Sequence, residues 1–279
     1  MKRKYDLAFS MGFGCGCSKA LRAARLQYAS YPMDWVGITG LTESVNILVS
    51  DFDGWFERED LRLYDIHRER DAIHRVYVNR RNGFVFGHDF TDGARFDAEY
   101  AEAVSRYARR QERLFASIRA AKRVLAVFVE RPSKSAASDA ALVAARDGLA
   151  RRFPGVTFGL VYFHHEDGCT VPHPRRVEDG VEAVACSYRL IEYGEISHAI
   201  ANDQITRYLA ETFEVADPRS PEERQAFAAR RRSADRLEGY GTGSCLGRWW
   251  NRVLFRLYRR LEEDLKERLI LPHEHSPVA

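Results

Sequence analysis

Cys15 lies among glycines between the first predicted strand and the first predicted helix. The loop Gly12-Phe13-Gly14-Cys15-Gly16 follows an apolar strand predicted for residues 4–10 and leads into a helical pattern over residues 18–26. A cysteine in the first turn of a helix meets unpaired backbone N–H groups and the positive end of the helix dipole, and both favour the thiolate. This placement indicates a thiol nucleophile. The neighbouring glycines leave room for a substrate carbonyl, and the amides there could stabilise an oxyanion: Gly12, Gly14 and Gly16.

Cys17 follows Cys15 by two positions, which a helix converts into a rotation of about 200°. Only one of the two thiols can therefore face a given cleft, and Cys15 is favoured because it lies nearer the loop. Two alternatives stay open. Both cysteines could be small apolar fillers between a strand and a helix. The loop could instead bind a phosphate at the helix start, although it lacks the sequence endings of the known nucleotide-binding loops.

His88 lies at or near the end of a predicted strand, where its imidazole could accept the Cys15 proton and return it to a leaving group. Asp34 or Asp89 could orient that imidazole. Neighbours in a strand point to opposite faces, so Asp89 would point away from His88 and Asp34 is the preferred third group. Asp34 could equally be a buried structural acceptor beside Trp35.

Four arginines of a long predicted helix, residues 97–121, fall at three- and four-residue spacings and form a positive stripe: Arg106, Arg109, Arg110 and Arg113. Such a stripe is usually solvated. Beside a cleft it would favour an acidic or phosphorylated substrate. The expected substrate-binding set therefore comprises the loop glycines together with Trp35, Asp89, Arg109, Arg110 and Arg113.

Several potential metal ligands follow a predicted strand at residues 156–163: His164, His165, Glu166, Asp167, Cys169 and His173. They suggest a metal-dependent hydrolase as a further alternative. Their spacing fits neither a histidine-glutamate-x-x-histidine helix nor paired cysteine knuckles. A polar loop is the preferred interpretation, and we expect no metal and no other cofactor.

The overall composition narrows the class of protein. Of 279 residues, 45% are apolar, and 43 lysines and arginines oppose 40 aspartates and glutamates, so the formal net charge of +3 gives no reason to expect a nucleic-acid partner. Five cysteines are an odd number, which favours reduced thiols and a cytoplasmic location. No apolar run approaches the roughly 20 residues of a membrane-spanning helix, and the first residues do not resemble a secretion signal.

Strands alternate with helices along the chain, which predicts an α/β fold with a mostly parallel or mixed open sheet flanked by helices. Strands are expected at residues 74–78 and 84–90, joined by a tight turn at Asn82-Gly83, and further along at 124–129, 156–163 and 181–186. Residues 29–36 are expected to be extended. Further helices are expected at 41–56, capped by Thr42 or Ser44, and at 140–153 and 198–213.

The last part of the chain is interpreted as a separate region. We expect an α/β domain over residues 1–214 and a basic helical extension over 215–279, with helices at 222–237 and 249–269. The final helix carries an apolar stripe that must be buried, either on the parent domain or on a second copy of the chain in a homo-oligomer. A helix lying on a membrane surface is the alternative.

Four segments occur in an order that resembles a known bacterial family. They are Ser10–Cys15, Pro32–Trp35, His88–Phe90, and a helix rich in tyrosine and arginine that includes Tyr100, Tyr107, Arg109, Arg110 and Arg113. Over roughly residues 5–132 the chain is similar to proteins named as papain-like cysteine peptidases and also catalogued as a domain of unknown function. Met11 and Met33 stand where that family has leucine and phenylalanine, and both keep the apolar volume.

The resemblance implies a thiol nucleophile at Cys15 and a base at His88. The word peptidase is itself an inference within the family, so a hydrolase or acyltransferase acting on another amide or ester is equally consistent. We therefore expect a peptide, amide or ester substrate. The alternative is a non-catalytic module that binds a phosphate or nucleotide sugar and is linked to surface polysaccharide metabolism.

Overall fold

The computed structural model describes residues 1–12, 14–37, 40–69, 72–91, 95–132, 134–188 and 203–225. The helices expected after residue 225, the homo-oligomer contact proposed for the last of them, and Cys245 lie outside these ranges. Within the ranges, no helix is long and apolar enough to cross a membrane.

Eleven strands and five helices make up the described part of the chain. In order they are β1 (Arg3–Tyr5), β2 (Leu7–Gly12), α1 (Gly14–Ala23), β3 (Val36–Gly37), α2 (Leu41–Val49), β4 (Leu61–Glu69), β5 (Ala72–Asn79), β6 (Val85–Phe90), α3 (Phe96–Ala120), β7 (Arg123–Val129), α4 (Asp139–Arg152), β8 (Thr157–His165), β9 (His173–Glu178), β10 (Val181–Cys186), α5 (Asp203–Thr212) and β11 (Phe213–Val215).

A five-stranded sheet in the order β2-β7-β8-β10-β9 forms the centre of the fold. The first four strands are parallel, and β9 is an antiparallel edge strand beside β10. β7 and most of β8 are buried runs of apolar residues, as expected for strands that are covered on both faces. One core cluster joins this sheet to α1 and α5, and the other joins it to α2, α3 and α4. The predicted α/β class with a mixed sheet and flanking helices is confirmed.

A second sheet, with four antiparallel strands in the order β3-β6-β5-β4, occupies the chain between α1 and α3. The predicted hairpin between β5 and β6 is confirmed, because Gly83 adopts a left-handed φ of 76° and the Asn79 N–H donates to the Phe84 carbonyl at 2.8 Å. β4 was not predicted, since its charged residues interrupt the apolar alternation. Trp55 and Phe86 pack edge to face with Tyr107 of α3 and fix this sheet against the helix.

Three local predictions were wrong. Residues 29–36 are not extended throughout, because Pro32–Trp35 forms a 3₁₀ turn that the Asp34 carboxylate closes by accepting the Tyr31 N–H at 3.0 Å. α2 begins after Gly40 without a side-chain cap, so Thr42 and Ser44 both lie inside the helix and neither caps it. The helix ends at Val49 instead of Phe56, since Asp51 and Phe52 take left-handed φ angles of 59° and 64°.

The last described strand lies across the expected domain boundary at residue 214. β11 pairs in parallel with β1, so residues 213–215 lie beside the first strand of the chain. The helix predicted for 198–213 is represented by α5, and Phe213 already belongs to β11.

Candidate active site

Cys15 is the second residue of α1, directly after the carboxyl end of β2. Gly12 and Gly14 take φ angles of 143° and 55°, which residues with side chains rarely adopt. A Cβ added to Gly14 would meet nothing within 4 Å other than its own chain neighbours, so no more distant residue packs against this position. The Cys15 thiol is partly exposed there, and the first amides of α1 lie beside it.

Cys17 occupies a different environment although it is only two residues away. Its side chain is fully buried, and its Sγ donates to the Val127 carbonyl of β7 at 3.5 Å. Burial raises the pKa of the Cys17 thiol to about 12. The expectation that only one of the two cysteines faces a cleft agrees with these environments, and the accessible one is Cys15.

Asp34 is completely buried at the centre of the 3₁₀ turn. Its Oδ2 accepts hydrogen bonds from Arg22 Nη2 at 2.7 Å, from Gln27 Nε2 at 2.7 Å and from the Tyr31 N–H at 3.0 Å. Its Oδ1 is buried and has no hydrogen-bond partner among the described residues. Burial raises the pKa of the carboxyl, while the Arg22 guanidinium opposes that shift. Asp34 therefore ties the turn to α1 and to the segment that follows it.

Ser18 connects the same turn to the backbone of the cysteine. Its buried hydroxyl lies 3.2 Å from the Cys15 carbonyl oxygen and 3.0 Å from the Asp34 carbonyl oxygen, and it donates to these acceptors. α1 is thus tied to the turn by two of its side chains, Ser18 to the Asp34 carbonyl and Arg22 to the Asp34 carboxylate. The sequence patterns did not identify Ser18, Arg22 or Gln27, because their roles depend on a turn that was not predicted.

Trp35 forms the contact between the turn and His88. The two ring centroids are 6.1 Å apart and the rings are nearly perpendicular, and the Arg22 guanidinium carbon lies 5.8 Å from the Trp35 ring centroid. His88 is exposed within β6, with its ring 5.9 Å from that of His74 on β5. Trp35 therefore reaches from the α1 side to β6. No hydrogen bond joins Asp34 to His88 within the described ranges.

Asp89 points to the opposite face of β6 from His88, as strand alternation predicts. Its side chain is only 6% exposed, and its two oxygens accept hydrogen bonds from Arg106 and from the Tyr107 hydroxyl, each at 2.6 Å. Asp89 thus anchors β6 to α3. This arrangement fixes the strand that carries His88 without bringing Asp89 to the imidazole.

The arginines of α3 lie on the Asp89 side of β6. Arg110 sits over the Tyr107 ring at 5.7 Å, and Arg113 donates to the Ser30 carbonyl at 3.0 Å. Arg109 is exposed and donates to Ser105 within its own helix at 2.7 Å. Arg113 thus ties α3 to the segment just before the 3₁₀ turn, and Arg110 lies between that contact and Asp89.

Glu130 was not predicted as a site residue, yet it lies at the same edge of the sheet as the cysteine loop. Gly12 of β2 pairs with Phe128 of β7, and Glu130 follows directly after β7. The glutamate is 6% exposed, and its Oε2 accepts from the Tyr162 hydroxyl at 3.2 Å. A carboxylate immediately after a buried parallel strand is the signal that could have identified it.

The segment considered for metal binding is built differently from the expected loop. His164 and His165 are the last residues of β8. His165 Nδ1 accepts the Tyr188 N–H at 3.1 Å, and its Nε2 lies 2.9 Å from Asp167 Oδ1. Among the residues whose positions are described, no group of three or more histidine, cysteine, aspartate or glutamate side chains could hold a metal ion.

These features define an α/β protein whose accessible cysteine begins a helix at the carboxyl edge of a parallel sheet. The chain belongs to the family described as "Putative papain-like cysteine peptidase (DUF1796)", whose model matches residues 6–168. No curated protein and no solved structure matches the chain significantly. The matched range contains Cys15, the 3₁₀ turn and His88.

Proposed function

We propose that the protein is a cysteine-dependent hydrolase or acyl-transfer enzyme that acts on a peptide bond or on another amide or ester. Cys15 is the nucleophile and His88 is the base. The observation that carries this proposal is the contrast between the two neighbouring thiols: Cys15 is accessible at the start of α1, whereas Cys17 is buried and bonded to a carbonyl. Family membership supports the same class of reaction.

The reaction begins when Cys15 Sγ attacks the carbonyl carbon and His88 takes up the thiol proton. The carbon–sulfur bond forms while the electrons of the carbonyl bond move to oxygen. The amides at the start of α1 stabilise that negative charge. As the intermediate collapses, His88 gives its proton to the departing amine or alcohol, which leaves a thioester on Cys15. Water or another acceptor then releases the acyl group.

Asp34 acts in this proposal as a positioning residue. Asp34 accepts the Tyr31 N–H and so holds the 3₁₀ segment that carries Trp35. The Trp35 ring packs edge to face with the His88 ring. Trp35 is partly exposed, so it also offers an apolar surface to the substrate beside the imidazole. The loop glycines, Gly12, Gly14 and Gly16, add no side chains of their own beside the thiol.

An activated ester tests the proposal without knowledge of the natural substrate. We expect p-nitrophenyl acetate to acetylate Cys15, with a burst of about one p-nitrophenolate per chain, and fragment-ion mass spectrometry to localise the acetyl group to Cys15 itself. Cys15→Ala abolishes the burst. Cys17→Ala is the matched control, because it removes the neighbouring buried thiol and should retain the burst. Acetylation that persists in Cys15→Ala would contradict the proposal.

A further inference from the structure

Arg110 is a half-buried cation on the side of α3 that carries the buried Tyr107 and Leu114. Its guanidinium stacks over the Tyr107 ring at 5.7 Å. It forms no hydrogen bond or ion pair with any residue in the described ranges, although a guanidinium has five N–H donors. A charge that is partly removed from water without an acceptor is costly. Its donors are therefore available to a ligand.

The two arginines on either side of Arg110 are already engaged. Arg106, one helical turn earlier, is bound to Asp89 at 2.6 Å, and Arg113, nearly one turn later, donates to the Ser30 carbonyl. All three lie on one face of the helix because their spacings are four and three residues. Arg110 therefore lies between two contacts that α3 makes. One is the bond of Arg106 to Asp89 on β6, and the other is the bond of Arg113 to Ser30 before the 3₁₀ turn.

Ser30 adds a further donor near this position. Its Oγ accepts a hydrogen bond from Arg22 Nη2 at 3.1 Å, and its hydroxyl hydrogen is donated to no residue that the structure describes. Of the nearby carboxylates, Asp89 accepts from Arg106 and Tyr107 through its two oxygens, and Asp34 Oδ2 accepts from Arg22, while Asp34 Oδ1 is buried without a partner among the described residues. The surroundings thus hold more guanidinium groups than carboxylates that could neutralise them.

We propose that Arg110, with Arg113 and Ser30, binds the oxygens of a small anionic group, a phosphate or a carboxylate, on the α3 side of β6. The guanidinium fork matches both groups in bidentate geometry. Burial lowers the pKa of Arg110 and Arg106 adds to that effect, whereas Tyr107, Asp89 and Asp34 oppose it. The ligand of this site need not be the substrate that the thiol attacks.

Inorganic phosphate and acetate are the probes, each compared with chloride at the same ionic strength. We expect at least one of the two to raise the Tm of the full chain, and calorimetric titration to give a matching Kd. Arg110→Gln should weaken that binding about tenfold or more, since it removes a charge-assisted bidentate contact. A larger effect of phosphate assigns a phosphoryl group to the site, and a larger effect of acetate assigns a carboxylate.

Arg109→Gln is the matched control, because Arg109 is the neighbour of Arg110 in the sequence and carries the same charge. Its side chain is exposed and bonds only to Ser105 of its own helix. Arg109→Gln should bind the probe as the wild type does. Arg110→Lys keeps the charge and should retain measurable affinity, which preserves the test if Arg110→Gln does not fold. Absence of any stabilisation in the wild type, or equal loss in Arg109→Gln and Arg110→Gln, would overturn the proposal. Cys15→Ala should bind the probe unchanged.

Discussion

At the scale of single residues, position relative to a helix start separates two cysteines of identical chemistry. Cys15 lies in the first turn of α1, where backbone amides have no helical partner. Cys17 lies two residues later in the helix, and its thiol contacts β7. The glycines and the strand–helix transition were visible in the sequence, so the accessible thiol could be predicted. The network around Asp34 could not, because Arg22 and Gln27 meet it only through a turn with no clear local signal.

Arg22 and Asp34 form a pair in which only the cation reaches water. The side chain of Arg22 is 27% exposed and that of Asp34 is 0% exposed. Replacing Arg22 by methionine leaves a buried carboxylate without its cation, so we expect a loss of roughly 3 kcal/mol in the free energy of unfolding at pH 7. Urea denaturation measures this loss, and the double variant Arg22→Met/Asp34→Asn should recover part of it.

The same variant has a defined pH dependence. Burial raises the pKa of Asp34 above its unfolded value, and without Arg22 nothing from that side chain opposes the shift. As the pH rises above about 4, the Asp34 carboxyl therefore loses its proton in the unfolded chain before it does so in the folded protein. The deficit of Arg22→Met relative to the wild type should therefore grow from acidic to neutral pH and shrink on acidification. A deficit that is constant across this range would show that the Asp34 charge is not its cause.

At the scale of elements, turns decide how the second sheet is attached to the rest. The Asn82-Gly83 pair predicted the β5–β6 hairpin because glycine tolerates the left-handed conformation that the turn requires. The role of Asn79 was not predictable, since its side chain reaches a loop more than 20 residues earlier in sequence. Its Nδ2 donates to the carbonyls of Gly54 and Trp55, and its Oδ1 accepts from the Arg81 N–H.

Asn79→Asp tests whether this buried amide holds the hairpin to the loop. Aspartate retains the acceptor for the turn but loses both hydrogens that bind the carbonyls of Gly54 and Trp55, and it adds a buried charge. We expect a loss of about 3 kcal/mol in unfolding free energy at neutral pH. Asn82→Asp is the control, because Asn82 is only partly buried and donates to the Gly54 carbonyl alone. Equal stability of Asn79→Asp and the wild type would refute this role.

At the scale of the whole molecule, the matched family range ends before the fold does. The family model stops at residue 168, whereas β10 pairs along β8 over residues 181–186 and α5 packs in the same core cluster as α1. The Tyr188 hydroxyl donates to the Glu130 carbonyl at 2.6 Å, directly beside the sheet edge that carries the cysteine loop. Sequence alternation predicted these elements, but their pairing depends on contacts between distant parts of the chain.

A chain that ends at Gly168 should therefore fail to fold cooperatively. It lacks β10, so the edge of β8 loses its hydrogen-bond partner, and it exposes the fully buried Phe163 by removing α5. We expect aggregation on expression, or a broad urea transition without the sharp change of the full chain. A cooperative transition at the same urea midpoint would show that residues 169–279 contribute nothing to the stability of the core.

The most direct test of the account is the alkylation rate of individual cysteines. Iodoacetamide labelling of the wild type and of His88→Gln over roughly pH 6 to 9, with the label localised to the residue by fragment-ion mass spectrometry, compares Cys15 with Cys17 in one molecule. We predict that Cys15 reacts about a hundredfold or more faster than Cys17, whose thiol is buried with a pKa of about 12, and that His88→Gln slows Cys15 alone. Equal alkylation rates at the two cysteines, or a Cys15 rate that is unchanged in His88→Gln, would contradict the proposal that Cys15 is a nucleophile served by His88.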